Sequence, residues 1–242
     1  MSIAGAVRIT FLAGIVLLGS TWTGAAPARA LRLAVVKQNQ ELATLLVSHQ
    51  VRSKLAATSP PLRLVRARTP ITEDRTVLPV LGHRTGRDKL RWLRVMLPGR
   101  PNGSTGWISQ RATVSSWTGW HIVINTSSRR VTVYRHSHSV RVFKAVVGKA
   151  STPTPSGRFY VEEAIQLPAK AAGAPYALAL SARSTVLQEF AGGPGQIALH
   201  GLSNVGGTLG TAVSHGCVRL DNGAMRWLVK RVGPGVPVTI RR

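Results

Sequence analysis

Residues 214–219 read Ser214-His215-Gly216-Cys217-Val218-Arg219, and Cys217 is the one cysteine in a chain of 242 residues. A second His-Gly pair stands upstream in Ile197-Ala198-Leu199-His200-Gly201. The loop between the two is rich in glycine and small polar residues (Gly206, Gly207, Thr208, Gly210, Thr211). A thiol attacks as its thiolate, so it needs a base or a positive environment to shed its proton. His200 and His215 are the candidate bases, and chain proximity alone favours His215. Gly216 lets the backbone approach a substrate carbonyl, and N–H groups around Cys217 are candidate oxyanion donors. A lone cysteine is commonly a small buried hydrophobe. One set inside Ser-His-Gly-Cys, in a chain with no second thiol, points instead to a nucleophile.

Outward from this stretch, Met225, Leu228, Val229 and Val232 follow i, i+3, i+4, i+7 spacing and predict a helix. Asp221 or Asn222 caps its start, Lys230 and Arg231 fill its last turn, and Gly233-Pro234 stops it. Its N-terminal dipole favours a thiolate nearby. Val236 to Ile240 reads as a closing strand. Upstream, His121–Asn125, Val131–Tyr134 and Val140–Gly148 alternate as strands of an antiparallel meander, with a turn at Thr126-Ser127-Ser128. Ser115-Ser116 is the expected boundary. Before it, short alternating runs (Leu62, Leu64; Val77, Leu78, Val80; Trp92, Leu93, Val95) are separated by Gly82, Gly86, Pro98-Gly99 and Pro101-Asn102-Gly103-Ser104. This is the pattern of a small barrel or sheet. Residues 31–60 are predicted helical, because Val35, Val36, Leu42, Leu45, Leu46 and Leu55 sit among polar residues with no Gly or Pro before Pro60-Pro61.

Composition bounds the partners. The chain has 32 Lys and Arg against 8 Asp and Glu, a net charge of +24. With 44% hydrophobic and 17% charged residues it is globular rather than disordered. One cysteine excludes an intrachain disulfide framework and a thiolate-rich metal site. The scarcity of carboxylates argues against a calcium or magnesium cage. His136 and His138 could face one way on a strand, but no third ligand is in view, and an exposed hairpin is the expectation. Six tryptophans, Trp92 and Trp107 among them, could offer a sugar platform, but packing is the simpler expectation.

The apolar run 9–19 behind Arg8 is shorter than the roughly 20 residues a membrane span needs. With Ala28-Arg29-Ala30 after it, residues 1–30 read as a signal peptide cut after Ala30. The protein is therefore expected in the periplasm or cell wall, or membrane-tethered if the segment stays uncut. Cleavage removes Arg8 and Arg29 and takes the charge from +24 to +22. Residues 31–115 and 116–242 each carry 15 basic and 4 acidic residues. A charge so evenly spread, without a basic tail or nucleic-acid motif, suits an anionic cell envelope rather than nucleic acid.

Residues 117–242 resemble the L,D-transpeptidases of bacterial cell-wall synthesis, the YkuD-type catalytic domain. The resemblance rests on Ser214 through Arg219, on His200-Gly201, on Thr152-Pro153-Thr154-Pro155-Ser156-Gly157-Arg158-Phe159 and on the early strands. Residues 61–115 are similar to bacterial SH3-like modules. The implied fold is mainly β: a sandwich-like catalytic domain over 116–242 with a helix after Cys217, and a small N-terminal α/β-barrel module. The resemblance implies Cys217 as nucleophile and His200, oriented by the Gly201 carbonyl, as proton acceptor and donor. It implies His215, Gly216 and the Cys217 backbone at the oxyanion site, with Ser214 and Arg219 fixing the loop or touching substrate. Where the family often carries an acidic residue early in the helix this chain has Ala224, and Asp221 is the acid available.

The implied activity is cross-linking of peptidoglycan stem peptides through a cysteine acyl-enzyme. It needs no metal and no cofactor and is open to acylation by carbapenem-type β-lactams; the protein itself is expected to be a monomer. Water or a protein amine as acceptor would make the protein a carboxypeptidase or a wall-anchoring enzyme. A non-catalytic, basic envelope-binding protein is the contrasting expectation.

Overall fold

In a computed structural model, which describes residues 36–190 and 192–242, the regular elements from Gln40 onward are strands, with a single helix among the described residues. The expected signal segment, 1–30, lies outside the described residues. The first seven strands are β1 (Gln40–Leu45), β2 (His49–Arg52), β3 (Pro61–Val65), β4 (Val77–Thr85), β5 (Arg91–Met96), β6 (Thr105–Ser109) and β7 (Thr113–Thr118). They form one sheet in the order β3-β2-β6-β5-β4-β1-β7.

The helix expected over 31–60 is not there in the described part: residues 40–45 and 49–52 are strands. Leu42, Ala43 and Leu45 are buried because β1 is hydrogen-bonded on both sides, to β4 and to β7. Leu46 and Val47, which would extend a helical stripe, are exposed instead. The chain reverses there without Gly or Pro. His49 holds the turn, its ring nitrogens 2.8 Å from the Val47 carbonyl and 2.9 Å from the Arg111 carbonyl. The expected boundary also moves. β7 runs past Ser115-Ser116, with Ser116 opposite Leu42, so the junction falls at Gly119. The first module is β throughout its described residues, so the α part of the expected α/β module is corrected too.

The second module holds β8 (Trp120–Asn125), β9 (Arg130–Arg135), β10 (His138–Lys144), β11 (Val147–Gly148), β12 (Gly157–Gln166), β13 (Tyr176–Arg183), β14 (Gln196–His200), β15 (Ala212–Ser214), β16 (Val218–Arg219), α1 (Asn222–Val229) and β17 (Pro237–Arg241). Eight strands make a sheet of order β10-β9-β8-β17-β12-β13-β14-β16, and β11 pairs with β15 apart from it. The expected meander is β8-β9-β10, and its second turn places His136 and Ser137 at positive φ with both histidines exposed. No cluster of metal-ligating residues occurs among the described residues. Asp221 caps α1 by accepting from the Ala224 N–H at 2.8 Å.

The core of this module packs Met225 and Leu228 of α1 against Ile122, Ile124, Phe159, Leu178 and Leu199. Phe159 and Tyr160 are neighbours on β12 and point to opposite faces. Phe159 lies in this core, while Tyr160 belongs to that of the first module with Leu45, Leu78, Val95 and Ile108. Glu163, further along β12, is fully buried and accepts from the N–H groups of Ile71 (3.1 Å) and Thr72 (2.8 Å). The described residues thus form one unit.

Candidate active site

Strand pairing brings the two His-Gly signals together. β14 and β16 run side by side in parallel, with His200 opposite Arg219 and Leu199 opposite Val218. Cys217, immediately before β16, therefore lies beside Ala198 of β14, and its Sγ is 3.9 Å from the Gln196 carbonyl. Cys217, His200, His215 and Arg219 all line one cavity of about 420 Å³, whose wall includes Leu187 and Phe190. A separate cavity of about 350 Å³ between the modules, lined by Arg63, Tyr160, Glu162 and Arg183, contains neither thiol nor imidazole.

His200 Nδ1 lies 2.8 Å from the Gly201 carbonyl oxygen. An N–H at Nδ1 donates there, which leaves Nε2 as the basic nitrogen. Two glycines make this placement possible. A side chain at Gly173, whose φ is +84°, would come within 2.5 Å of Nδ1, and one at Gly201 would collide with the Ala174 carbonyl. Burial pushes the His200 imidazole below its usual range; the Gly201 hydrogen bond opposes this, and the charge of Arg219 adds to it. Burial likewise pushes the Cys217 thiol up, against the pull of a backbone hydrogen bond from Ala198 and of Arg219. Both shifts favour the uncharged forms. Near neutral pH the pair rests as a thiol and a neutral imidazole, the arrangement for general-base activation rather than a standing thiolate.

The loop carrying Cys217 is tied from within and from behind. Ser214 is fully buried; its hydroxyl donates to the Cys217 carbonyl (2.6 Å) and accepts from the Gly216 N–H (3.1 Å). The Gly216 N–H, expected near the oxyanion site, is thus engaged inside the loop. Gly216 has φ +122°, and a side chain there would press on Ile197. Behind the loop, Thr152 donates to the Ser214 carbonyl (3.2 Å) and Thr154 to the Gly216 carbonyl (2.8 Å). Gly148 donates back to Thr154 (2.9 Å). Sequence reasoning gave these two threonines no role. Their signal was present in the Thr-Pro-Thr-Pro segment, which lies some 60 residues before the loop it supports.

Arg219 secures the glycine-rich loop by donating from Nη1 to the carbonyls of Val205 and Gly206, each at 3.1 Å. His215 sits differently from His200. It is exposed, and its ring stacks on Phe190 with centroids 5.5 Å apart. It forms part of the rim.

Residues 119–240 match the family model described as YkuD, the L,D-transpeptidase catalytic domain. The chain belongs to this family. The match begins at Gly119, where the first module ends. The putative L,D-transpeptidase YkuD of Bacillus subtilis (strain 168) is 30% identical over 123 residues, 51% of this chain and 66% of that protein. Its namesake from Bacillus licheniformis is 29% identical over 121 residues, 50% of this chain and 65% of that protein. The chain thus spans just under two thirds of the curated relatives it matches. Among solved structures, L,D-transpeptidase 3 from Mycobacterium tuberculosis, in complex with a faropenem-derived adduct, is 17% identical with a TM-score of 0.44, over 69% of this chain and 91% of that one.

Proposed function

We propose that the protein is a peptidoglycan L,D-transpeptidase that works through an acyl-enzyme on Cys217. The observation that carries this reading is the meeting of the one thiol and the oriented His200 in a single cavity. As Sγ attacks the carbonyl of an L-to-D bond in a stem tetrapeptide, His200 Nε2 takes the thiol proton. It then delivers that proton to the nitrogen of the departing D-alanine as the C–N bond breaks, leaving a thioester. A side-chain amine of a neighbouring stem attacks the thioester. His200 takes a proton from that amine and returns it to the leaving sulfur, so the cross-link forms and Cys217 is restored. Burial of both groups suits this cycle, since neither must carry charge between turnovers.

A carbapenem also offers an acyl carbon, in its strained β-lactam ring, and is proposed to acylate Cys217 as well. The substrate class lies outside the cytoplasm, in agreement with the proposed export directed by residues 1–30.

Incubation with a tetrapeptide donor, followed by intact-mass analysis, tests the assignment. Wild-type protein should gain the acyl mass and, with an acceptor stem, release a cross-linked product; Cys217→Ala should do neither while keeping its fold. His200→Ala should slow acylation by about a hundredfold or more, the scale of general acid–base catalysis, and His215→Ala by much less. Cross-linking by the cysteine variant would end the proposal. The reverse order of the histidines would move the base to His215.

A further inference from the structure

We propose that Arg100, in the first module, is a positioning residue that fixes one wall of the thiol cavity. The inference rests on the transpeptidase reading for its kinetic arm alone. The wall is the connection from β13 to β14, from which Ser184, Leu187 and Gly195 line the cavity beside Cys217. At its neck the Ser184 N–H donates to the Gly195 carbonyl (2.7 Å), and the Ser184 hydroxyl accepts from the Leu187 N–H (2.9 Å).

Three carbonyl oxygens of this connection converge on one guanidinium. Arg100 Nη1 donates to Pro194 (2.9 Å), and Nη2 donates to Ser184 (2.9 Å) and Leu187 (3.0 Å). Aligned carbonyl dipoles repel one another, so this backbone shape needs a cation with several fixed donors, and the arginine fork supplies them. The support around it is consistent. Asn102 clasps the backbone of Arg183 at the end of β13, with both its bonds at 2.8 Å. Gly195 has φ +64°, and a side chain there would collide with the Leu187 carbonyl and crowd Arg100. Arg100 and Asn102 lie outside the span 119–240 that matches the catalytic domain. The first module therefore completes a cavity that the catalytic module only begins.

The test uses the full chain as wild type, Arg100→Ala, Arg100→Lys and Arg84→Ala. The last removes the same charge from an exposed site in the same module. Three quantities are read: amide exchange in residues 184–190 against residues 122–125, alkylation of Cys217 by iodoacetamide, and steady-state acyl transfer from a tetrapeptide donor. Loss of several charge-assisted bonds should speed exchange in 184–190 by about tenfold in Arg100→Ala and leave 122–125 unchanged. Iodoacetamide, too small to need the wall, should react about threefold faster. KM for the tetrapeptide should rise about fivefold with little change in kcat, because the wall positions substrate without touching the reacting atoms. Arg100→Lys should recover part of each change, and Arg84→Ala should match wild type.

Unchanged exchange and alkylation in Arg100→Ala would overturn the proposal. So would faster exchange throughout the molecule, or the same shifts in Arg84→Ala. If wild-type protein takes no acyl group from the tetrapeptide, the transpeptidase reading fails, while exchange and alkylation still decide the role of Arg100.

Discussion

The catalytic module builds its core from its own residues, with α1 closing over the sheet, whereas the first module has no helix in its described part and takes Tyr160 from catalytic strand β12 to complete its core. The debt runs the other way at the active site, where Arg100 of the first module holds the wall beside Cys217. The difference teaches that sequence boundaries and physical boundaries diverge here. The family domain starts at Gly119, but neither module is complete without the other.

The strongest way to break this comparison is Tyr160→Ala. Removing a ring that is 1% exposed at the junction should cost about 3–5 kcal/mol and still give one cooperative transition. Two separate transitions in calorimetry, or a loss below about 1 kcal/mol, would show that the first module stands alone. Lowering the pH comes next. His121 on β8 is buried with its Nε2 2.9 Å from Thr239 Oγ1. Burial, with Arg158 adding to it, lowers its pKa from 6.5 to about 4. The unfolded chain takes up this proton at higher pH than the folded one does. The stability is therefore fully present above pH 6.5 and falls as the pH drops towards about 4, by about 3 kcal/mol at 1.36 kcal/mol per unit. His121→Gln should flatten that part of a denaturation-versus-pH curve, and an unchanged slope would remove His121 from the account. The mildest test is Glu163→Ala. It deprives the Ile71 and Thr72 N–H groups of their acceptor and should cost about 2 kcal/mol, measured by urea titration. A neutral result would leave Tyr160 as the main link.

The site was more legible in the sequence than the first module was. Cys217, His200 and the capped helix stand in short motifs whose geometry is local: a tight turn, an adjacent carbonyl, a cap. Pairing β14 with β16 needs only that the two motifs end on neighbouring strands. The segment around Leu42 and Leu45 offers no such local signal. Its apolar spacing suits a helix, and what makes it a strand is partners at 77–79 and 113–118, together with a turn fastened by His49 to a carbonyl 62 residues away. The bonding partners of Thr152, Thr154 and Arg100 were illegible for the same reason. Each acts on a segment at least 60 residues away, and nothing in a threonine or an exposed arginine announces which carbonyl it will meet.

Strand β17 has a consequence for how the molecule is made. It lies inside the eight-stranded sheet, parallel to β8 on one side and antiparallel to β12 on the other. Val238 pairs with Ile122, so within this sheet the meander meets β12 only through a strand made more than a hundred residues after β8. Until residues 237–241 leave the ribosome, the sheet exists as two halves with open edges. Such pairings close slowly and late. The last strand of the fold to be made is therefore the one that joins its two halves.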